Sequence, residues 1–246
     1  MKSNHSYLHW DTKNIADSLL ESKDIDALYD KGYVFTRLGK GMLQQTRSVR
    51  INLKKFSPTS ENRRILRKVA GLRCVKSPLP LADYHWSLGK LAKDFYDTKF
   101  HHGIMSAAKV KAMLTDPKES NFNTLLTFYY KSPDVTMETE EKKEIKVGYA
   151  ICYSDDTMLH YCYPFYDISL VEAHNIPRDI GLGMMLHVIT MACDEHLSYI
   201  YLGSLQRPTD TYKLQFDGLE WYNGDSDGVS KHQWSNDIDL VKKILL

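Results

Sequence analysis

The run IPRDIGLGMML, Ile176–Leu186, decides how the rest of the chain is read. A proline, Arg178, Asp179 and two glycines, Gly181 and Gly183, precede a stretch in which Leu182, Met185, Leu186, Ile189, Ala192 and Cys193 recur at helical spacing. Glycine weakens a helix, so two of them at its opening need a reason. One is an ordinary tight turn. The other is an anion cradle. The first N–H groups of a helix have no partner within it, and its dipole adds about half a positive charge there. Glycines relieve backbone constraint and admit a ligand closely, and Arg178 supplies a forked cation. The loop is not a P-loop, because no Gly-Lys-Ser/Thr follows, and it lacks the three-glycine spacing of a dinucleotide fingerprint.

Working outward, MLHYCYPFYD before the loop reads as a strand over 157–166 and beyond, and YIYLG after the helix as a short apolar strand over 199–203. TDTYKLQF is then a turn and short helix, and LEWYN begins a last strand. Upstream, residues 14–31 show a helical pattern with Ile15, Leu19, Ile25 and Leu28 apolar. YVFTRL (33–38) and SVRINL (48–53) read as strands joined by a glycine-containing loop, and ENRRILRKV as a helix capped by Thr59 or Ser60. KSPLPL (76–81) is a connector, 82–99 and 106–114 are helices, and 124–130 and 145–154 are strands. The charged run DVTMETEEKKE between those strands reads as a mobile loop. This order is α+β: helices, an antiparallel meander, then strand–helix–strand.

The 246 residues are 43% hydrophobic and 26% charged, enough for a substantial core. The opening MKSNHSYLHWDTKN has no apolar core of a signal peptide, and no window is apolar enough to span a bilayer. Cys74, Cys152, Cys162 and Cys193 form no CxxC pair, which leaves a reduced, cytoplasmic chain as the expectation and no metal site. His101-His102 lack a third ligand at metal-binding spacing. The net charge of +1 conceals a segregation: Lys31 to Lys76 holds 13 Lys/Arg against one acid, Glu61. Such a stretch either neutralises the acidic remainder internally or faces phosphates. Arg47 and Arg50 on a strand, with Arg63, Arg64, Arg67 and Lys68 on the adjacent helix, are the candidate RNA contacts.

The order of Arg178-x-x-Gly181-x-Gly183, YIYLG and TYKLQF resembles the GNAT acyltransferase superfamily. LYDKGYVFTRLGKGMLQQTRSVRINLKKFSPTSENRRILRK, FYDTKFHHG, FYDISL…RDIG and YIYLGSLQRPTDTYKLQF, in order over roughly residues 28–222, resemble the arginyl and leucyl aminoacyl-tRNA–protein transferases of N-degron tagging. The chain departs from that family in several places. It has no N-terminal cysteine-rich segment. Gln44-Gln45 replace a cysteine pair, Ser204 replaces a tyrosine, and Ile168 replaces a proline.

The resemblance implies a GNAT-like fold in which a central, mostly antiparallel mixed sheet splays between helices. It implies a single transferase unit over 1–246, with a basic part at 31–76 and a core at 82–230. The expected reaction is acyl transfer to an amine, first from aminoacyl-tRNA to a protein or peptide acceptor, alternatively from acyl-CoA. A non-catalytic RNA- or protein-binding module is the third reading. No tightly bound cofactor, DNA or membrane is expected. By resemblance, Arg178, Asp179, Ile180, Gly181, Leu182, Gly183 and Met184 hold the donor's phosphates. Tyr163, Phe165, Tyr166, Leu202, Gly203 and Lys213 line the acyl and acceptor cleft. Tyr212 protonates the leaving group, with Asp167 and Tyr201 as further catalytic candidates and Glu172 and His174 on a nearby mobile loop. Backbone N–H groups near Tyr163 to Phe165 polarise the acyl oxygen. Read as ordinary structure, Tyr201 and Tyr212 are core tyrosines and Asp167 caps a turn.

Overall fold

The computed structural model describes residues 7–15, 22–131, 144–174, 176–224 and 233–246. The apolar strand runs build one eight-stranded sheet. Its members are β4 (Ser48–Asn52), β5 (Leu72–Pro78), β6 (Thr124–Tyr130), β7 (Ile145–Ser154), β8 (Met158–Tyr166), β9 (Tyr199–Ser204), β10 (Leu219–Asn223) and β11 (Gln233–Ser235), in the spatial order β11–β10–β4–β9–β8–β7–β6–β5. All neighbours are antiparallel except β8 and β9. A parallel pair needs a crossover, and two helices supply it, α5 (Ile168–Ala173) and α6 (Ile180–Asp194). The opening motif is therefore the second half of that crossover. A second sheet, β1 (Asp11–Asn14), β3 (Met42–Gln45) and β2 (Tyr33–Phe35), lies in the order β1–β3–β2.

Because strand side chains alternate faces, the large sheet carries a core on each side. On one face Leu126, Phe128, Leu159 and Leu202 pack with Ile65 and Val69 of α2 (Ser60–Lys68) and its following turn, with Met184 and Ile189 of α6, and with Val241 of α7 (Ile238–Leu245). On the other, Leu125, Ile151, Phe165 and Tyr201 pack with Tyr29 of α1 (Ser22–Tyr29), with Leu88 and Phe95 of α3 (Trp86–Lys99) and with Val110 of α4 (Ala107–Thr115). A short 3₁₀ helix, Pro208–Gln215, follows β9.

The sequence reading differs from the structure in places with local causes. Of the expected helix over 14–31, residues 22–29 form α1, residues 16–21 lie outside the described residues, and Asn14 ends a strand. The first half of the expected connector, Lys76 to Pro78, belongs instead to β5, whose Pro78 is tolerated because β5 is an edge strand. The expected mobile loop around Glu172 is helix α5, capped by Asp167. The charged loop DVTMETEEKKE lies outside the described residues except for Glu144, which pairs with Arg73. Among the described residues no helix is long and apolar enough to cross a membrane.

Candidate functional site

β8 and β9 pair only through Met158–Tyr199, Leu159–Ile200 and His160–Tyr201, although β8 runs on to Tyr166 and β9 to Ser204. Beyond His160 the two strands part. Both bend there. On β8 the register with β7 goes from Tyr161–Cys152 to Tyr163–Ile151, which leaves Cys162 as the extra residue of a bulge. On β9 the register with β4 goes from Tyr201–Arg50 to Ser204–Ser48, and Gly203 within that irregularity has φ +77°. This is the left-handed region that glycine reaches without strain. The result is a fork in mid-sheet whose inner backbone groups have lost their neighbouring strand.

Lys213 reaches this fork from the 3₁₀ helix. It is buried, and its Nζ donates to the Ser204 carbonyl at 2.9 Å. Burial pulls the ammonium pKa down, Arg207 adds to that, and Asp210 opposes it. His160, at the fork's vertex, is 2% exposed and holds Tyr29 Oη at 2.8 Å through Nδ1. Burial, with Lys213 adding, lowers its pKa to about 3, so the ring is neutral at ordinary pH. Tyr212 is nearly half exposed as a residue, yet its hydroxyl is desolvated enough to be pushed up to about 12, with Asp210 adding. Tyr212 therefore keeps a proton to give.

On the α6 face, the glycines act first through packing. Neither has a positive φ. A Cβ on Gly183 would stand 2.8 Å from Val69 Cγ2, and one on Gly181 would stand 3.1 Å from Tyr166 Cε1. The expected relief of backbone constraint is thus replaced by close approach of α6 to α2 and β8. Gly183 N–H is bonded to Asp179 O at 2.8 Å and Ile180 N–H to Pro177 O at 2.9 Å, while the Gly181 and Leu182 N–H groups have no backbone partner among the described residues. Asp179 precedes the helix without a side-chain capping bond, and its carboxylate instead takes Lys68 Nζ at 2.9 Å. That ion pair brings two regions 111 residues apart to one surface: the α6 N-terminus with exposed Arg178, and α2 with exposed Arg63, Arg64, Arg67 and Lys68. Arg64 is also held by Glu61. Ile180 and Met184 are fully buried and contribute backbone only.

Other expected site residues are committed elsewhere. Arg50 is buried, ion-paired to Glu220 at 2.9 Å and Asp30 at 2.8 Å, and held 4.0 Å from the rings of both Tyr199 and Trp234. It is unavailable to a phosphate, and its charge serves the interior. Tyr201 is 1% exposed and its hydroxyl accepts from Arg50 at 3.2 Å, which makes it a core tyrosine. Phe165 is fully buried against Tyr149, and Leu202 is buried in the opposite core, so neither presents a side chain to a cleft. Asp167 Oδ1 accepts from Leu170 N at 3.1 Å as the cap of α5. The same residue borders a cavity of about 360 Å³ with Lys90, Asp94, Phe95, Tyr166 and Ser169. Arg47 is half-buried with its Nε unpartnered among the described residues. Tyr163 lies on the α3 face, edge-on to Phe122 at 5.3 Å.

Sequence reasoning did not single out His160, Tyr161, Cys162, Arg37 or Arg207. The guanidinium of Arg207 lies 5.5 Å over Phe100 at the end of α3, and Arg37 lies within electrostatic reach of Tyr96 and Tyr163. The 13-to-one excess of basic residues flagged Arg37's neighbourhood, but a bulge is a property of register and leaves no mark in residue type.

No protein-family model matches the chain. Two curated relatives are both named aspartate/glutamate leucyltransferase. The one from Cereibacter sphaeroides is 26% identical over 182 residues, covering 72% of this chain and 59% of the relative. The one from Paracoccus denitrificans is 28% identical over 185 residues, covering 72% and 62%. The chain thus matches less than two thirds of the length of either relative. Among solved structures, L-PGS from Bacillus licheniformis has a TM-score of 0.45 at 11% identity, with 92% of this chain and 70% of that one covered. FemX has a TM-score of 0.42 at 12% identity, with 91% and 64% covered.

Proposed function

We propose that this chain is an aminoacyl transferase on a GNAT-like fold, moving an amino acid from the 3′ end of a tRNA to the amine of a protein or peptide. The observation that carries the reading is the fork: a parallel strand pair that opens in mid-sheet with a bulge on each arm, flanked on one face by a helix N-terminus beside a run of cations. Backbone groups stripped of a neighbouring strand need a partner, and an extended acyl donor supplies one. The names of the two curated relatives support the same class.

In this reading the donor's phosphates lie along α2 and the start of α6. Arg64, Arg67, Lys68 and Arg178 supply charge there, and the Gly181 and Leu182 N–H groups supply directed donors. The acceptor nitrogen attacks as a neutral amine. A C–N bond forms as the ester C–O bond breaks, one proton leaves the nitrogen, and one reaches the ribose oxygen. A backbone N–H of β8 beyond the last β8–β9 pair polarises the acyl oxygen. Tyr212, protonated up to about pH 12, delivers the proton to the leaving oxygen. Arg37, Arg207 and Lys213 give the fork a positive field, which suits an acceptor that presents an acidic residue; the relatives' name carries aspartate and glutamate.

The test supplies purified protein with labelled aminoacyl-tRNA pools and labelled acetyl-CoA in parallel, with peptides beginning in Asp, Glu or Lys as acceptors. Label passing from aminoacyl-tRNA to the acidic peptides is the expected result. Label from acetyl-CoA alone moves the chain to CoA-dependent acylation, and label from neither donor overturns the reading.

A further inference from the structure

The chain lays one of its own segments across the mouth of the fork. Tyr7 Oη lies 3.2 Å from Ser204 Oγ, on the β9 arm, and within electrostatic reach of Tyr163, on the β8 arm. Leu8 is gripped through its main chain. Its N–H donates to Gln206 Oε1 at 2.7 Å, and its carbonyl accepts from Gln206 Nε2 at 3.1 Å and from Thr46 Oγ1 at 2.5 Å. Trp10 N–H donates to the Gln45 carbonyl at 2.8 Å, and β1 follows.

This strap has the marks of a stand-in. The groups gripped at Leu8 are those that every non-proline residue carries, so any extended peptide can make the same bonds. The gripping residues are held in place from elsewhere. The Gln206 and Arg207 N–H groups both donate to Asp210 Oδ2, at 2.8 and 3.0 Å, and Thr46 is fully buried. Tyr7, by contrast, is 47% exposed and belongs to neither core. The polarity also fits an acceptor. Residues 7–10 run N to C away from the fork, as a peptide must when its N-terminal amine is the end that reacts.

We infer that residues 7–9 form a strap on the acceptor's track that closes the fork in the free protein. An extended acceptor peptide displaces the strap and takes over the main-chain bonds to Gln206 and Thr46, its amine at the fork. This rests on the transfer reading for what the peptide does there. Main-chain recognition leaves sequence preference to nearby charge, and Arg207 is the next residue after Gln206.

A site that is open only part of the time binds with its affinity reduced by the open fraction. One net hydrogen bond shifts that fraction by up to about 10-fold. The experiment follows a fluorescent peptide beginning in Asp by polarisation, with the full chain and no aminoacyl-tRNA. Leu8→Pro deletes the N–H that Gln206 Oε1 accepts and spares Gln206. It is expected to tighten the peptide's Kd by about 3- to 10-fold. Tyr7→Ala, at an exposed position, is expected to act in the same direction and replaces Leu8→Pro should that variant not fold. Adding Gln206→Leu to either strap variant removes the acceptor's grip and is expected to weaken binding by about 10-fold. Unchanged or weaker binding in the strap variants overturns the inference. So does binding indifferent to Gln206→Leu, or binding to none of the proteins. These results leave transfer by the wild type standing. Affinities that shift as stated, in a protein that transfers from no aminoacyl-tRNA, remove the transfer reading and leave a strap over a peptide groove.

Discussion

Gly183 offers the sharpest separation of packing from ligand approach. Its added Cβ would meet Val69 at 2.8 Å (Cγ2) and 2.9 Å (Cγ1), distances that force α6 and α2 apart. Overpacking of this kind costs about 1–3 kcal/mol, and replacing glycine by alanine inside a helix returns about 1 kcal/mol. Gly183→Ala is therefore expected to destabilise by about 1 kcal/mol net. Val69 is fully buried, and Val69→Ala removes two methyl groups at roughly 0.8 kcal/mol each plus a cavity contribution, about 2 kcal/mol in all. If the two effects were independent, the double variant would lose about 3 kcal/mol. Here the methyl introduced by Gly183→Ala occupies the space that the Val69 methyls vacate, so the double variant is expected to be no worse than Val69→Ala alone, a coupling of at least about 1 kcal/mol. Urea titration of all four proteins at constant m measures this. A chain of this length shifts its melting midpoint by about 2–4 °C per kcal/mol, which gives a second readout. Coupling below about 0.5 kcal/mol refutes the claim that Val69 dictates this glycine. If stability recovers in the double variant but transfer does not, Gly183 is required by a ligand as well as by α2.

Three further outcomes follow from particular contacts. Arg50→Met leaves the half-buried Glu220 without its closest cation, the alternative being Lys55 at 3.6 Å. It should cost about 3 kcal/mol in a urea titration and leave RNA affinity unchanged, whereas a phosphate-binding Arg50 would show the reverse. Replacing Arg64, Arg67 and Lys68 together by alanine should weaken tRNA binding uniformly across sequences and reduce the salt slope by about 3, as read by filter binding from about 50 to 200 mM salt; an unchanged slope excludes α2 from the interface. His160 has its pKa lowered from 6.5 to about 3, so the unfolded chain binds the proton first. The stability that the neutral ring contributes is fully present above pH 6.5 and is lost as pH falls toward 3, by about 1.4 kcal/mol per unit. His160→Asn, compared with wild type in melts at about pH 7, 6, 5 and 4, should flatten that slope. Parallel slopes would mean that His160 protonates while folded.

What the residues disclosed and what they withheld divides along a physical line. Period and punctuation are local, so β6, β7, β8, α3 and α6 were legible from apolar spacing, and the Thr59 cap was legible from residue type. Burial of charge is not local. Arg50 and Arg67 belong to the same basic run, yet Arg50 is stacked between Tyr199 and Trp234 while Arg67 stands in solvent, because alternation in β4 turned Arg50 toward aromatic rings supplied by two distant strands. Edge strands such as β5 were missed because half of their side chains face water and so break the apolar signal. Of the residues named from sequence, Gly203 and Lys213 lie at the fork with Tyr212 beside Lys213, but the bulge at Cys162 was hidden, since strand register leaves no mark in residue type.

The same line explains why the opening motif was only half read. Its glycines suggested a cradle because glycine exposes backbone, and the structure gives the nearer cause as Val69 and Tyr166. The two causes do not compete. Drawing α6 down onto α2 until no side chain fits between them is what sets Lys68 against Asp179 and brings the basic helix to the α6 N-terminus. A bulkier residue at 183 would move the cations of α2 away from the N–H groups of Gly181 and Leu182. The packing requirement and the proposed phosphate surface are therefore one constraint on the chain, read once from the core side and once from solvent.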